Sequence, residues 1–467
     1  MSSFRSHRKT QDTLRGEIYK TIQVGSPIIV AQLLQMSMNF VDTVMAGRYS
    51  PEAIGAVAIG GASAMPFLVF GMGCIMAINP IVAQHLGARN LHLIGKTLRQ
   101  SIWVSQLIAL PFFFILRSME PVLAAMDISA EIQPITLGYL DALSWGIPFV
   151  LAFSSMRFFN EGLSITRPAM YISVLGLLVN IVLNYGLIYG HLGFPQLGAV
   201  GCGYATSAVQ MLMFFSMLLF TLWYPGYKRF KIFDTFRPPE WAFFKEITTI
   251  GLPIGLSVTM EVALFAAVSL MMGSLGTLQV AAHQVAINVA SMTFMVPLGL
   301  SMAVSSRVGQ AAGSKNKRRV QFRGWVGIGL CAFTMVVTAI VLALFPEAIV
   351  NIYTNDEGVI RLASELILLA ALFQISDGLQ VGGYGALRGL KDTRIPMVFN
   401  FISYWMIGFP IGYYLGLYTE MGPAGLWIGL IAGLTVAALF HNGRFWQLSR
   451  LTPKLPQEGE SFGLKKS

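Results

Sequence analysis

Residues 73–90 read GCIMAINPIVAQHLGARN, and residues 299–316 read GLSMAVSSRVGQAAGSKN. Laid over each other at a shift of 226 positions (73 to 299), Gly73, Met76, Ala77, Val82, Gln84, Gly87 and Asn90 meet Gly299, Met302, Ala303, Val308, Gln310, Gly313 and Asn316. The same shift reaches back to Pro27-Ile28 over Pro253-Ile254, Met45 over Met271 and Gly47 over Gly273. One position further, at 227, Gly162-Leu163, Thr166-Arg167 and Met170 meet Gly389-Leu390, Thr393-Arg394 and Met397. An ungapped register held across two apolar segments and the polar loop between them reads as an internal duplication.

The apolar segments are long. The 467-residue chain is 55% hydrophobic and 12% charged, against about 25% charged in a soluble globular chain, so it cannot cover itself with polar surface. Windows of roughly 19 residues resolve it into stretches of spanning length, centred near Leu34, Val69, Ile108, Phe149, Leu177, Met213, Leu264, Met295, Val336, Leu372, Tyr404 and Ile431. The predicted fold is an all-α polytopic membrane protein of about twelve transmembrane helices in two six-helix lobes. Six is even, so both copies enter the membrane in the same direction, and a pseudo-two-fold along the membrane normal relates them. The expected organisation is an N-terminal lobe over 1–224, a cytoplasmic linker over 225–244 rich in Pro and charge, and a C-terminal lobe with a cytoplasmic tail over 245–467.

The cations fall where such a topology needs them. With twelve spans both termini lie on one side, and every second loop carries Lys and Arg. The N-terminus holds five, the connections 2–3, 4–5, 6–7, 8–9 and 10–11 hold three, two, five, six and three, and the C-terminus five, leaving Arg48, Arg117 and Arg361 outside the pattern. Cytoplasmic anchoring beside anionic headgroups therefore accounts for the formal net charge of +10 without a nucleic-acid partner. Met1 to Lys20 has no apolar stretch followed by a cleavage site, so the first span is the expected targeting signal. Cys74, Cys202 and Cys331 sit in apolar stretches at unrelated spacings, which suits packing rather than disulfides or metal.

Three carboxylates interrupt the apolar stretches: Asp42 in MSMNFVDTVMAG, Glu261 in SVTMEVALFAAV and Asp377 in LFQISDGLQVGG. An ionisable group within a span costs at least about 2.5–3.5 kcal/mol on insertion scales, so it faces the bundle interior or a wet cavity. Gln35 and Asp42, seven apart, share one helix face, and the repeat sets Glu261 over Gln35 and Val268 over Asp42. Phe373, Gln374, Gln380, Val381 and Tyr384 flank Asp377 at helical spacing. A carboxyl group in such surroundings can exchange a proton near neutral pH or trade it for Na⁺ or an organic cation. Asn180 and Asn184, four apart, could ligate a cation together with Asp42 or bond a neighbouring helix. Asp141 reads as interfacial, and His283, with Gln284 and Asn288 at the start of the eighth span, as structural. The 24 Met and 32 Phe residues could give an adaptable surface, although most such side chains face lipid or other helices. No Gly-x4-Gly-Lys-Ser/Thr loop is present to couple ATP.

Five motifs, NFVDTVMAG (Asn39 to Gly47), NPIVAQHLGA (Asn79 to Ala88), LGAVGCGYAT (Leu197 to Thr206), AAHQVAIN (Ala281 to Asn288) and LRGLKDTRIP (Leu387 to Pro396), make the chain resemble the multidrug and toxic compound extrusion (MATE) family, in its NorM-like bacterial branch, over roughly Pro27 to Trp446. The resemblance implies a monomeric, multi-pass protein of the bacterial inner membrane with both termini cytoplasmic. It implies antiport of amphipathic cationic drugs and dyes, ethidium and fluoroquinolones among them, against Na⁺ or H⁺, with no other cofactor and no enzymatic reaction. Cation coupling would use Glu261 and Asp377, the candidate Na⁺ position, together with Asp42, Asn180 and Asn184. Asp42, Gln35, Gln284, Phe373, Gln374 and Tyr384 are the expected substrate-cavity residues. The chain departs from many close relatives at Phe373, where they carry Tyr.

Rival readings fit less well. The 2–3 loop HLGARNLHLIGK lacks the Gly-x3-Asp-Arg/Lys pattern of a major-facilitator carrier. A flippase for pyrophosphate-linked lipids would line its cavity with Arg or Lys, and the spans carry few. An enzyme would need clustered catalytic groups, whereas the six His residues are scattered. A channel would build symmetric rings, whereas these acids are lone and non-equivalent.

Overall fold

An apolar chain in lipid must satisfy every backbone N–H and C=O internally, and the helix does this within a single segment. The computed structural model describes residues 13–125, 128–129, 131–230, 232 and 238–450. Its membrane helices are α1 (Leu14–Tyr49), α2 (Pro51–Gly87), α3 (Leu91–Arg117), α4 (Ile132–Ser144 and Ile147–Gly162, bent by 44°), α5 (Arg167–Tyr189), α6 (Ala199–Trp223), α7 (Trp241–Leu275), α8 (Thr277–Gly313), α9 (Lys317–Leu344), α10 (Glu357–Gly389), α11 (Arg394–Leu417) and α12 (Pro423–Arg450). All twelve expected centres fall inside them. Local chemistry sets several starts. Ser50 alone separates α1 from α2, its hydroxyl accepting from the Ala53 N–H at 3.1 Å with Pro51 as first helical residue. The Asn316 and Asp356 side chains cap α9 and α10 in the same way.

The duplication is legible in the backbone itself. Five described non-glycine residues have positive φ, and four of them form two repeat-related pairs: Arg89 (61°) with Lys315 (54°), and Ser164 (61°) with Lys391 (62°). Each follows the end of a membrane helix, where a left-handed residue closes off the last carbonyls.

The two lobes meet through α1 against α8 and α2 against both α7 and α8. The contact is close because side chains are missing where the backbones touch. A Cβ on Gly87 would overlap the Gln310 carbonyl, and one on Gly313 would overlap the Gln84 carbonyl. The side chains of those glutamines complete the symmetry: Gln84 donates to the Gly389 carbonyl at 2.9 Å and Gln310 to the Gly162 carbonyl at 3.2 Å. Ala77, Ile81 and Val104 pack on Ile247, Ile250 and Ile254 alongside. These contacts lie in the halves of the helices nearest the basic loops. The described part of the inter-lobe connection is held to the first lobe there, with Tyr227 and Phe230 in its core, Arg99 donating to the Ile232 carbonyl at 2.5 Å, and Lys96 paired with Glu240 at 2.5 Å.

The allocation of cations to loops needs correcting. Arg157, Arg307, Arg323 and Arg388, counted as loop residues on sequence, lie within helices and are at most 8% exposed. Arg307 donates through Nε at 2.8 Å and Nη2 at 2.5 Å to Glu17 from the other lobe, and Arg323 lies 3.6 Å from the same carboxylate. Arg157 pairs with Glu161 at 3.1 Å. Helices that run past the apolar core carry charge into their ends, and hydropathy windows cannot tell such an end from a loop. Arg157, Arg307 and Arg323 bind acids and carbonyls at the basic end, and Arg388 binds the Ser301 hydroxyl, an arrangement unlike a basic lining for a pyrophosphate. Arg5, Arg8, Lys9, Lys231, Arg237, Lys454, Lys465 and Lys466 lie outside the described residues.

Removing one member of a buried ion cluster leaves the others uncompensated, typically at a cost of about 3–5 kcal/mol. Glu17→Ala is therefore expected to lower the melting temperature of the detergent-solubilised protein markedly, read by size-exclusion after heating. Melting like wild type would mean that Glu17 does not hold the lobes.

Candidate functional site

In the first lobe the site is assembled around Asp42, 5% exposed. It lies near the end of α1 away from the basic loops. Asn180 and Asn184 stand on one face of α5, and both carboxamides donate to Asp42 Oδ1, at 2.9 and 2.6 Å. Thr206 of α6 donates to Oδ2 at 2.9 Å, and the Cys202 thiol one turn earlier also reaches the carboxyl group. The predicted trio is thus brought together, with two partners that sequence reasoning missed. Their signal was present: Thr206 and Cys202 are four apart on one helix face, inside the LGAVGCGYAT stretch.

The second lobe is built differently. Asp377 on α10 is 2% exposed, and Glu261 on α7 is half-buried and close enough for its charge to act on Asp377. No hydrogen bond or ion pair joins either carboxyl to a described residue, in contrast to Asp42. Tyr404 is close enough for the charge of both acids to act on it and sits on a π-helical segment, Ile402–Gly408, within α11. Its hydroxyl accepts from Gln380 of α10 at 2.8 Å, and the next residue, Trp405, donates to the Met260 carbonyl at 3.3 Å. The widened turn therefore ties α11 to both acid-bearing helices. Nothing in the sequence marked this segment, because a π-helix differs from an α-helix by one residue per turn and leaves the apolar pattern intact. Tyr404 and Phe373 belong to the same buried cluster of the second lobe.

The six expected cavity residues do not gather in one place. Phe373 packs in the core of the second lobe, its ring 6.0 Å from Phe265 and 5.8 Å from Trp427. Gln374 is fully buried, and its amide donates to Thr293 of α8 at 2.5 Å. Tyr384 is buried and stacks on His441 at 5.3 Å. Asp42 belongs to the other lobe, Gln35 is half-buried on α1 and Gln284 is exposed on α8. Helical spacing put Phe373, Gln374 and Tyr384 beside Asp377, but that face turns into the second bundle. His283 is structural as expected, with Nε2 2.9 Å from the Ser269 hydroxyl and its ring against Trp427. Asp141 pairs with Arg117 at 2.5 Å in a partly exposed setting.

The profile of the MatE family matches residues 27–186 and 253–414, one match in each repeat. The chain belongs to the MatE family. This MatE chain is 40% identical over 446 residues to the multidrug resistance protein NorM of Aliivibrio fischeri, covering 95% of the chain and 97% of that protein. It is also 40% identical to the multidrug resistance protein MdtK of Yersinia pseudotuberculosis, over 91% of the chain and 94% of that protein. Its fold is that of the eukaryotic MATE transporter AtDTX14, with a TM-score of 0.84 at 18% identity over 94% of the chain and 97% of AtDTX14. It also matches an outward-facing multidrug resistance MATE transporter of the MOP superfamily, with a TM-score of 0.82 at 22% identity over 93% and 96% of the two chains.

Three donors on Asp42 make a direct prediction about the MatE chain. Thr206→Val keeps the shape and removes one donor, a loss of about 0.5–3 kcal/mol according to the charge on the carboxyl group. The solubilised variant is expected to melt below wild type, and Thr206→Ser to melt close to it. Equal melting of the Val and Ser variants would show that the hydroxyl does not matter.

Proposed function

We propose that this chain is a secondary active multidrug efflux transporter that exchanges amphipathic cationic drugs and dyes, ethidium- and fluoroquinolone-like, for Na⁺ or H⁺. The observation that carries the reading is the pair Glu261 and Asp377, two intramembrane acids close enough for the charge of one to act on the other and joined by no hydrogen bond or ion pair to a described residue. An unpaired carboxyl group away from water is costly, and a proton or a Na⁺ ion removes the cost. Such a pair therefore takes up a cation reversibly. Asp42, already held by three side-chain amides and hydroxyls, is the secondary candidate.

The lobe arrangement supports alternating access. Described inter-lobe hydrogen bonds and ion pairs cluster at the basic end, and the three acids lie beyond them. In this reading the basic end is cytoplasmic, the chain sits as a monomer in a bacterial inner membrane, and drug and cation exchange through the cleft as one lobe rocks against the other. The names carried by the NorM and MdtK relatives point the same way.

Ethidium movement in everted or reconstituted vesicles, with Na⁺ and H⁺ gradients imposed separately, tests the reading. One gradient is expected to drive transport in wild type, and Glu261→Gln and Asp377→Asn are each expected to abolish it while inserting normally. Transport at wild-type rates by the inserted variants would remove these acids from the mechanism. No transport under either gradient would favour a more specialised carrier.

A further inference from the structure

Arg388 is the one arginine of the buried set whose closest partners include no carboxylate. It is 3% exposed, near the end of α10. Helical side chains lean towards the N-terminus of their helix, so the guanidinium turns back into the lobe and lies 4.9 Å over the Tyr384 ring. Its Nη2 donates to the Ser301 hydroxyl at 2.7 Å, and its Nη1 contacts Met76 Sδ, from the other lobe, at 3.4 Å. Its Nε has no hydrogen-bond partner among the described residues. A neutral hydroxyl and a thioether are weak company for a buried guanidinium, which prefers bidentate carboxylates.

Two acids nevertheless lie within reach of its charge, one in each lobe: Glu161 across the interface and Glu261 within its own. Glu161 is 1% exposed, and one of its oxygens pairs with Arg157 while Oε2 has no partner among the described residues. The interface thus holds an unfilled acceptor on one lobe and an unfilled donor on the other. The duplication explains the juxtaposition: Glu161 precedes Gly162 and Arg388 precedes Gly389, the two glycines whose carbonyls receive Gln310 and Gln84. The two copies have put opposite charges at equivalent points beside the pseudo-axis.

We propose that Arg388 is a positioning residue that links the Glu261–Asp377 cation site to the meeting of the two lobes, its charge shared between Glu161 across the interface and Glu261 within its own lobe. The proposal rests on the coupling role of Glu261 given above. While the lobes touch at the basic end, Glu161 holds part of the charge of Arg388, and Glu261 is free to take a cation. When they separate there, Arg388 loses Glu161 and Met76 together, its charge falls on Glu261, and the cation is expelled on that side.

This makes opposite predictions for the two partners, which simple structural damage does not. In the vesicle assay, Arg388→Gln is expected to lower the ion concentration giving half-maximal ethidium transport, by on the order of tenfold, and to lower the maximal rate because release slows. Glu161→Gln is expected to raise that concentration by a similar factor, and Arg388→Lys, which keeps the charge, to leave it close to wild type. An unchanged or raised value in Arg388→Gln, or an unchanged value in Glu161→Gln, overturns the proposal. If Arg388→Gln fails to insert, Glu161→Gln and Arg388→Lys decide alone. Normal transport by Glu261→Gln would instead overturn the assignment on which the proposal rests, so the two failures are told apart.

Discussion

The approach of two helix backbones at the basic end, with Gly87 against the Gln310 carbonyl and Gly313 against the Gln84 carbonyl, is the constraint on which the remaining architecture depends. Side chains on those glycines would hold the lobes apart and let water reach Glu17, Arg307 and Arg323. With the backbones in contact, an acid from one lobe and two guanidiniums from the other can be enclosed together, and enclosure is what gives a charge cluster its strength. The described bonds between the lobes are gathered at the same contact.

The two lobes have used the duplicated frame unequally. The first surrounds its acid with Asn180, Asn184 and Thr206, so that Asp42 is satisfied by the protein itself. The second sets Glu261 and Asp377 near each other and gives them no donor among the described residues, while the neighbouring amides of Gln374 and Gln380 are committed to Thr293 and Tyr404. A satisfied acid favours a fixed geometry, and an unsatisfied pair favours exchange. The offset between Asp42 and Glu261 visible in the repeat alignment is the sequence-level trace of this difference.

The spans, the duplication and the identity of the intramembrane acids were readable because each follows from a periodic or compositional rule. Asn180 and Asn184 joined Asp42 because residues four apart share a helix face and both carried the same chemistry. Phe373, Gln374 and Tyr384 stand apart from Gln35 and Gln284 for the converse reason: spacing says which residues share a face, and only the packing of α10 against α8 and α12 says that the face turns inward. Arg388 was hidden by its position. An arginine one residue from the end of a helix reads as a loop cation, and the direction in which its side chain leans is settled by the helix it ends. The π-helical turn at Ile402–Gly408 left no trace in the apolar pattern.

The length of the helices that carry the lobe contact has a mechanical consequence. The first membrane helix has 36 residues, about 54 Å at 1.5 Å per residue, against a hydrocarbon core of about 30 Å. It is gripped near one end and carries Asp42 near the other, which makes it a lever with a long free arm. Between Ile29, which packs against Gly299 of the other lobe, and Tyr49 the arm is about 30 Å long, so a tilt of about 10° at the grip displaces its far end by roughly 5 Å, about half the width of a helix. Small rearrangements among the glycines and arginines at the fulcrum are thereby magnified at the far end of the helix, with no helix needing to unwind.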